Sequence, residues 1–235
     1  MGTDGIDEIF SNYWRIKQFG AEIRHPIPVI VSSGDPRMEA EDVHSPQISL
    51  YFSGLPSGGS MLDVGAGDKY IEVALKKRGV DAEYFSLDTA QRENVRYDFA
   101  SLDEIQTQFD LIVMQEVIEH LPLALGYSYL KRAHALLKPG GELVVTLPNI
   151  RHPIQFHKAD FSHVQHYPLG DLYGILRVVG FSDEVEFRMI EICPRGLSLR
   201  QRVRRHIQKF LFRLLDFSFQ HAVLIKVRKA KPSGS

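Results

Sequence analysis

Cysteine is nearly absent from the chain: Cys193 is the one thiol in 235 residues. That excludes an intrachain disulfide and a zinc cluster built on cysteines, and it fits a reducing, cytoplasmic setting. No apolar run reaches the roughly eighteen residues of a membrane span, so no transmembrane segment is expected. A charged-then-apolar leader is lacking too, and Met1-Gly2 is not followed by the Ser or Thr at position 6 of a myristoylation signal. Net charge is scarce, at a formal −1, yet residues 195–215 hold seven Lys/Arg and no Asp or Glu. One local face must therefore be strongly positive. What is present, 44% hydrophobic and 24% charged residues, is the balance of a globular chain with one α/β domain and additions.

Residues 1–59 carry no clean period. Aromatic-rich Phe10-Ser-Asn-Tyr-Trp14, the Pro-punctuated run His25-Pro-Ile-Pro-Val-Ile-Val31 and an acidic turn around 35–42 read as a cap or lid, closed by Ser57-Gly-Gly-Ser60. The main domain spans 60–230, with a basic helical insertion at 195–217 and a disordered tail at 231–235. Strand-like runs at 61–64, 83–87, 95–97, 109–114 and 142–147 alternate with helical patterns at 70–78, 123–137 and 169–179. That alternation predicts an α/β fold with a mostly parallel sheet and helices on both faces. Leu137-Lys-Pro-Gly-Gly141 is expected to stop a helix through a left-handed glycine. The runs at 185–192 and 220–228 read as an antiparallel hairpin at the sheet edge, with the basic helix inserted between them.

Met61-Leu-Asp-Val-Gly-Ala-Gly-Asp-Lys69 joins a buried strand to an amphipathic helix through glycines two apart. Such a unit brings bare backbone against a ligand, because a Cβ at Gly65 or Gly67 would fill the space it needs. Asp88 ends the second strand, where an acid meets ribose hydroxyls. Asp98-Phe99 places an acceptor and an aromatic face where adenine could lie, and 109–115 ends in Gln115 on the ligand side of the sheet.

Taken in order, Leu62-Asp-Val-Gly-Ala-Gly67, Asp88, Asp98, Phe109-Asp-Leu-Ile, Glu116-Val-Ile-Glu-His-Leu121 and Leu137-Lys-Pro-Gly-Gly141 resemble the class I S-adenosylmethionine-dependent methyltransferases. The resemblance covers residues 60–181 and extends toward 228. It implies a Rossmann-like three-layer sandwich on a seven-stranded sheet, with S-adenosylmethionine as cofactor. It also implies that Asp63, Gly65, Ala66, Gly67, Asp88, Thr89, Asp98, Phe99 and Gln115 line the cofactor. The family's third loop glycine falls at Lys69, a departure that weighs more against a dinucleotide than against this cofactor.

Glu116, Glu119 and His120 share a face if the chain is helical there, beside the expected methyl group. Downstream, Asp160-Phe-Ser-His163-Val-Gln-His166 can fold back over the same mouth. Two carboxylates and two imidazoles suit a divalent cation, Mg2+ or Mn2+, that activates a substrate hydroxyl. The arrangement resembles two metal-dependent branches, the small-RNA 3′-end 2′-O-methyltransferases and the ubiquinone-pathway O-methyltransferases, which implies Glu116, Glu119, His120 and His163 as ligands. The alternative is that Glu119 and His120 cap a helix, with His120 or His163 as the general base. His152 and His157 read as loop histidines.

The expected activity is methyl transfer to a hydroxyl of a small metabolite, glycan or lipid-linked acceptor. An RNA ribose 2′-O-methyltransferase is the alternative, and a non-catalytic cofactor-binding or interaction protein is the rival of another class. The basic segment 195–215 could meet an anionic membrane, making the protein peripheral there, or nucleic acid. It could equally pack its apolar stripe on its own domain. Nothing in the sequence sets the oligomeric state.

Overall fold

In a computed structural model of the chain, the described residues are 4–23, 27–33, 46–90, 92–153, 160–194 and 196–231. His157, the turn at 35–42, Arg195 and residues 232–235 lie outside them. Helices α1 (Asp4–Ser11) and α2 (Tyr13–Ala21) precede β1 (Ile27–Ser33) and α3 (Pro46–Phe52). The alternating part runs β2 (Gly59–Val64), α4 (Tyr70–Lys77), β3 (Ala82–Leu87), β4 (Phe109–Gln115), α5 (Leu123–Leu136), β5 (Leu137–Pro148) and α6 (Leu169–Val179). It closes with β6 (Phe181–Pro194), α7 (Leu199–Leu214) and β7 (Ala222–Lys229).

Seven strands form one sheet in the order β1-β6-β7-β5-β4-β2-β3. Strand β7 is antiparallel to both its neighbours, β5 and β6, and every other pair is parallel. Period-2 alternation splits the strands between two cores. Leu62 and Val64, Ile112 and Met114, and Leu143 and Val145 face α1, α2, α5 and α6. Met61, Leu111, Val113 and Val144 face α3 and α4. The result is a Rossmann-like three-layer α/β sandwich.

Three local readings change. Residues 95–97 form no strand; a single parallel bridge joins Leu87 to Phe99, and the N–H groups of Asp98 and Phe99 both donate to the Ser86 carbonyl. The seventh strand is instead β1, paired in parallel with β6 from Ile27↔Arg188 to Ser33↔Pro194. Pro28 hides this strand from a sequence pattern, but an edge strand tolerates a proline where a central one does not. The β6–β7 hairpin therefore lies one strand in from the edge. Helix α5 ends at Leu136 without a left-handed cap: Leu137 is extended (φ −79°, ψ 138°) and begins β5 directly. The left-handed glycine is Gly140 (φ 82°), next to the register shift between Phe109 and Leu111.

Glycine also sets the approach of α2 to α6. A Cβ on Gly20 would stand 2.7 Å from the Gly170 carbonyl oxygen, and one on Gly174 would overlap the Ile16 carbonyl oxygen. Among the described residues, no helix is long and apolar enough to cross a membrane.

Candidate active site

Strand β2 has β3 on one side and β4 on the other, which makes the gap beyond its carboxyl end a topological switch point. The glycine loop fills the floor of this gap. Gly65 and Gly67 have φ of 74° and 51°, and Lys69 adopts φ 56° at the N-cap of α4. The chain thus takes a left-handed turn where a third glycine was expected, at a cost of about 1 kcal/mol for a side chain. The two glycines differ in what they spare. A Cβ on Gly65 would collide with Val117 Cγ2 at 2.7 Å, whereas one on Gly67 would make only ordinary contacts, with the Arg92 guanidinium at 3.8 Å and the Gly65 carbonyl oxygen at 3.9 Å. Only Gly67 leaves space open to a ligand.

Three of the loop's N–H groups point into the protein. Gly65 and Ala66 donate to the Leu87 carbonyl at 2.8 and 3.0 Å, and Gly67 donates to Asp88 Oδ2 at 2.9 Å. These three donors are therefore not offered to a phosphate. Asp88 Oδ1 accepts from the Ala90 N–H, and the Tyr97 hydroxyl donates to the Gly67 carbonyl at 2.8 Å. Thr89 is exposed beside them and Ala66 is buried.

Beneath the loop, Asp63 is buried and accepts a hydrogen bond from the Tyr84 hydroxyl at 2.8 Å. Burial pushes its carboxyl up to about 7, against the lowering effect of that hydroxyl. Asp98 is exposed, with Oδ2 accepting from the N–H and the hydroxyl of Ser86. Phe99 stacks on Phe85 at 6.2 Å. Gln115 Oε1 accepts from the Tyr51 hydroxyl at 2.8 Å. Tyr51 in α3 and Tyr84 in β3 are site residues the sequence does not announce, since each reads there as part of an apolar run.

Beyond β4 the chain makes a 3-10 turn at Ile118–His120 rather than an α-helix, entered through Glu116 at φ 51°. Glu119, His120 and His163 each offer a ligand atom, all within 4.8 Å of one another; Glu116 is not in that group. The His120 and His163 rings meet edge-on at 4.6 Å, and the Ser162 hydroxyl sits 2.9 Å from His120 Nδ1. The His163 loop is held in place because the Val164 and Gln165 N–H groups both donate to the Glu119 carbonyl, at 2.9 and 3.0 Å. Glu119 is 2% exposed, and neither of its carboxylate oxygens has a hydrogen-bond donor. Burial, and then the Glu116 carboxylate, push its carboxyl to about 9. The Glu116 carboxyl is raised by burial as well, with contacts to Glu119 and Thr146 opposing the shift. A buried carboxylate without donors is costly unless protonated or matched by a cation, and a carboxylate–imidazole set suits a divalent ion.

A cavity of about 330 Å³ opens between the loops after β5 and before α6, lined among others by Pro148, Asn149, Tyr167, Leu169, Met189 and Val223. It shares the carboxyl edge of the sheet with the glycine loop. The Tyr167 hydroxyl is buried against Gly126 of α5 without a partner. His152, expected in a loop, is buried and stacks on His221 at 4.8 Å.

Known structures share this architecture. An Archaeoglobus fulgidus SAM-dependent methyltransferase matches with a TM-score of 0.62 at 19% identity, over 83% of this chain and 95% of that one. NodS, an N-methyltransferase from Bradyrhizobium japonicum WM9 in complex with S-adenosyl-L-homocysteine, matches with a TM-score of 0.52 at 16% identity, over 93% and 98%. Haemonchus contortus phosphoethanolamine N-methyltransferase 2, in complex with S-adenosyl-L-methionine, matches with a TM-score of 0.55 at 15% identity, over 79% of this chain and 52% of that one. These likenesses are of fold. No curated protein sequence matches the chain. A family model for the methyltransferase domain matches residues 42–185, more than half of the chain, and the protein therefore belongs to the methyltransferase-domain family.

Proposed function

We propose that this family member uses S-adenosylmethionine to methylate a hydroxyl oxygen of an acceptor with an apolar body. The observation that carries the cofactor is the inward turn of the glycine loop's N–H groups. A loop whose N–H groups at Gly65, Ala66 and Gly67 are withheld from phosphate, one of them by the Asp88 carboxylate, suits a cationic nucleoside rather than an anionic dinucleotide. The cofactor supplies a methyl group already activated by its sulfonium charge. Asp88 and the backbone of Gly67 would hold the ribose end, Asp98 and Phe99 the adenine, and Gln115 the middle, braced by Tyr51.

What remains for the protein is to align the acceptor and take its proton. His120 and His163 stand together for that task, and Ser162 fixes the His120 ring. A second reading has Glu119, His120 and His163 hold a divalent cation instead, which lowers the pKa of a bound hydroxyl while the imidazoles serve as ligands and not as bases; the donorless Glu119 carboxylate supports it. The apolar cavity favours a lipid-linked or otherwise apolar acceptor over a bare glycan or an RNA ribose. At about 330 Å³ it lies at the small end of ligand sites.

Titration calorimetry tests the cofactor: S-adenosylmethionine binds the wild type, and Asp88→Ala weakens it by about tenfold or more through two lost hydrogen bonds. Absence of binding at millimolar cofactor overturns the reading. With an acceptor in hand, His120→Ala or His163→Ala lowers turnover by about 10²–10⁴-fold while cofactor affinity holds. Metal use predicts that EDTA abolishes activity, that magnesium or manganese restores it, and that Glu119→Ala reproduces the EDTA result; full activity in EDTA removes the cation.

A further inference from the structure

Helix α7 is inverted relative to an ordinary surface helix. At about 3.6 residues per turn, Leu199, Val203, Ile207, Phe210, Leu211 and Leu214 form one stripe. All six are exposed, Phe210 at 67% and Leu214 at 70%. The face turned to the domain is the polar one. There Arg205 and Lys209 reach the buried Glu191 at 2.7 and 2.6 Å, both lie over the Phe219 ring, and Phe212 packs edge-on to His152. Two ion pairs to one buried carboxylate thus hold the helix with its apolar stripe pointing away from its own domain. A capping box at Ser198–Gln201 defines its start. Exposed Leu215 and Phe217 continue the apolar surface past its end.

The flanks of the stripe are cationic. Arg200 and Arg204 border one side, Arg202 and Arg213 the other, and all four are exposed; the helix contains no acid. We infer that α7 docks this protein on an anionic lipid bilayer, its apolar stripe entering the headgroup–acyl boundary and its flanking arginines meeting lipid phosphates. A second copy fits less well, because a two-fold contact through the stripe would set like-charged flanks against each other. Nucleic acid fits less well because its phosphates would meet apolar side chains at the centre of the face and cations only at the margins.

The full chain is sedimented with vesicles of phosphatidylcholine containing phosphatidylglycerol, with phosphatidylcholine vesicles alone, and with a single-stranded RNA in place of vesicles. The expected result is strong partition to the anionic vesicles, weakened by salt and by removal of the anionic lipid. Arg200→Gln, Arg204→Gln and Arg213→Gln together lower it about a hundredfold, at about fivefold per cation. Phe210→Asp with Leu214→Asp abolishes it. All five side chains are exposed, so thermal melting and S-adenosylmethionine binding stay as in the wild type, which separates loss of docking from loss of fold or cofactor site. No partition of the wild type to anionic vesicles overturns the inference. So does partition that survives Phe210→Asp with Leu214→Asp, or RNA binding or self-association in place of vesicle binding.

Discussion

Glu119 concentrates the chemistry of the site in one side chain. Burial, and then the Glu116 carboxylate, push its carboxyl from the ordinary 4.5 up to about 9. Between those values the unfolded chain has lost the proton and the folded one keeps it, so stability falls as pH rises across that window. Glu119→Gln keeps the shape without the charge, and we expect it to flatten the decline; melting temperatures of metal-free protein from pH 5 to 9 check this. A cation held by Glu119 would have to expel the same proton. Calorimetric titration of manganese at pH 7 in buffers of different ionisation enthalpy is therefore expected to show proton release in the wild type and less in Glu119→Gln. This residue's motif is visible in the sequence. Its condition is not, because the absence of donors around it depends on a 3-10 turn and on a loop brought from more than forty residues downstream.

Among the elements, helices α2 and α6 meet through a close approach of backbone, with Lys17 paired to Asp171 and Arg177 over Phe19 at its margins. Gly174 faces the Ile16 carbonyl and Gly20 faces Gly170, so Gly174→Ala must push the helices apart. A cost of about 1–3 kcal/mol is expected, seen as a lower denaturation midpoint with an unchanged slope. The displacement also reaches the cavity, which Gly20, Leu169 and Gly170 line; cofactor affinity, set on the other side of β4, is expected to hold. A period-based reading finds α6 to the residue, since its apolar positions recur helically and Gly180 ends it with φ 117°. The same reading leaves α1 and α2 undifferentiated, because their partners are helices far along the chain. Glu8, for instance, takes hydrogen bonds from Tyr127 and Lys131. Strand β1 is hidden for a similar reason: its register is set by β6, and its own proline breaks the local pattern.

For the molecule as a whole, the legible half and the illegible half coincide with two modes of assembly. Strands β3, β2, β4 and β5 come from one continuous stretch, 59–148, and there glycine loop, acids and strand order are readable together. The exception is the link from β3 to β4, which holds a 3-10 turn at Leu102–Glu104 and no strand at 95–97. Strands β1, β6 and β7 join residues from opposite ends of the chain. Removing residues 219–231 would leave both β5 and β6 without a partner on one side. We expect that truncated chain to lack a cooperative melt and to accumulate as aggregate, whereas removal of 231 onward leaves the melt intact.

The placement of β7 also bears on how the chain is made. On the ribosome, β1 emerges early but has no neighbour until β6 exists, and β6 has no place in the sheet until β7 slides between it and β5. The unpaired N-terminal strand must then be kept from other chains throughout translation, as a sticky edge waits for the last strand to arrive.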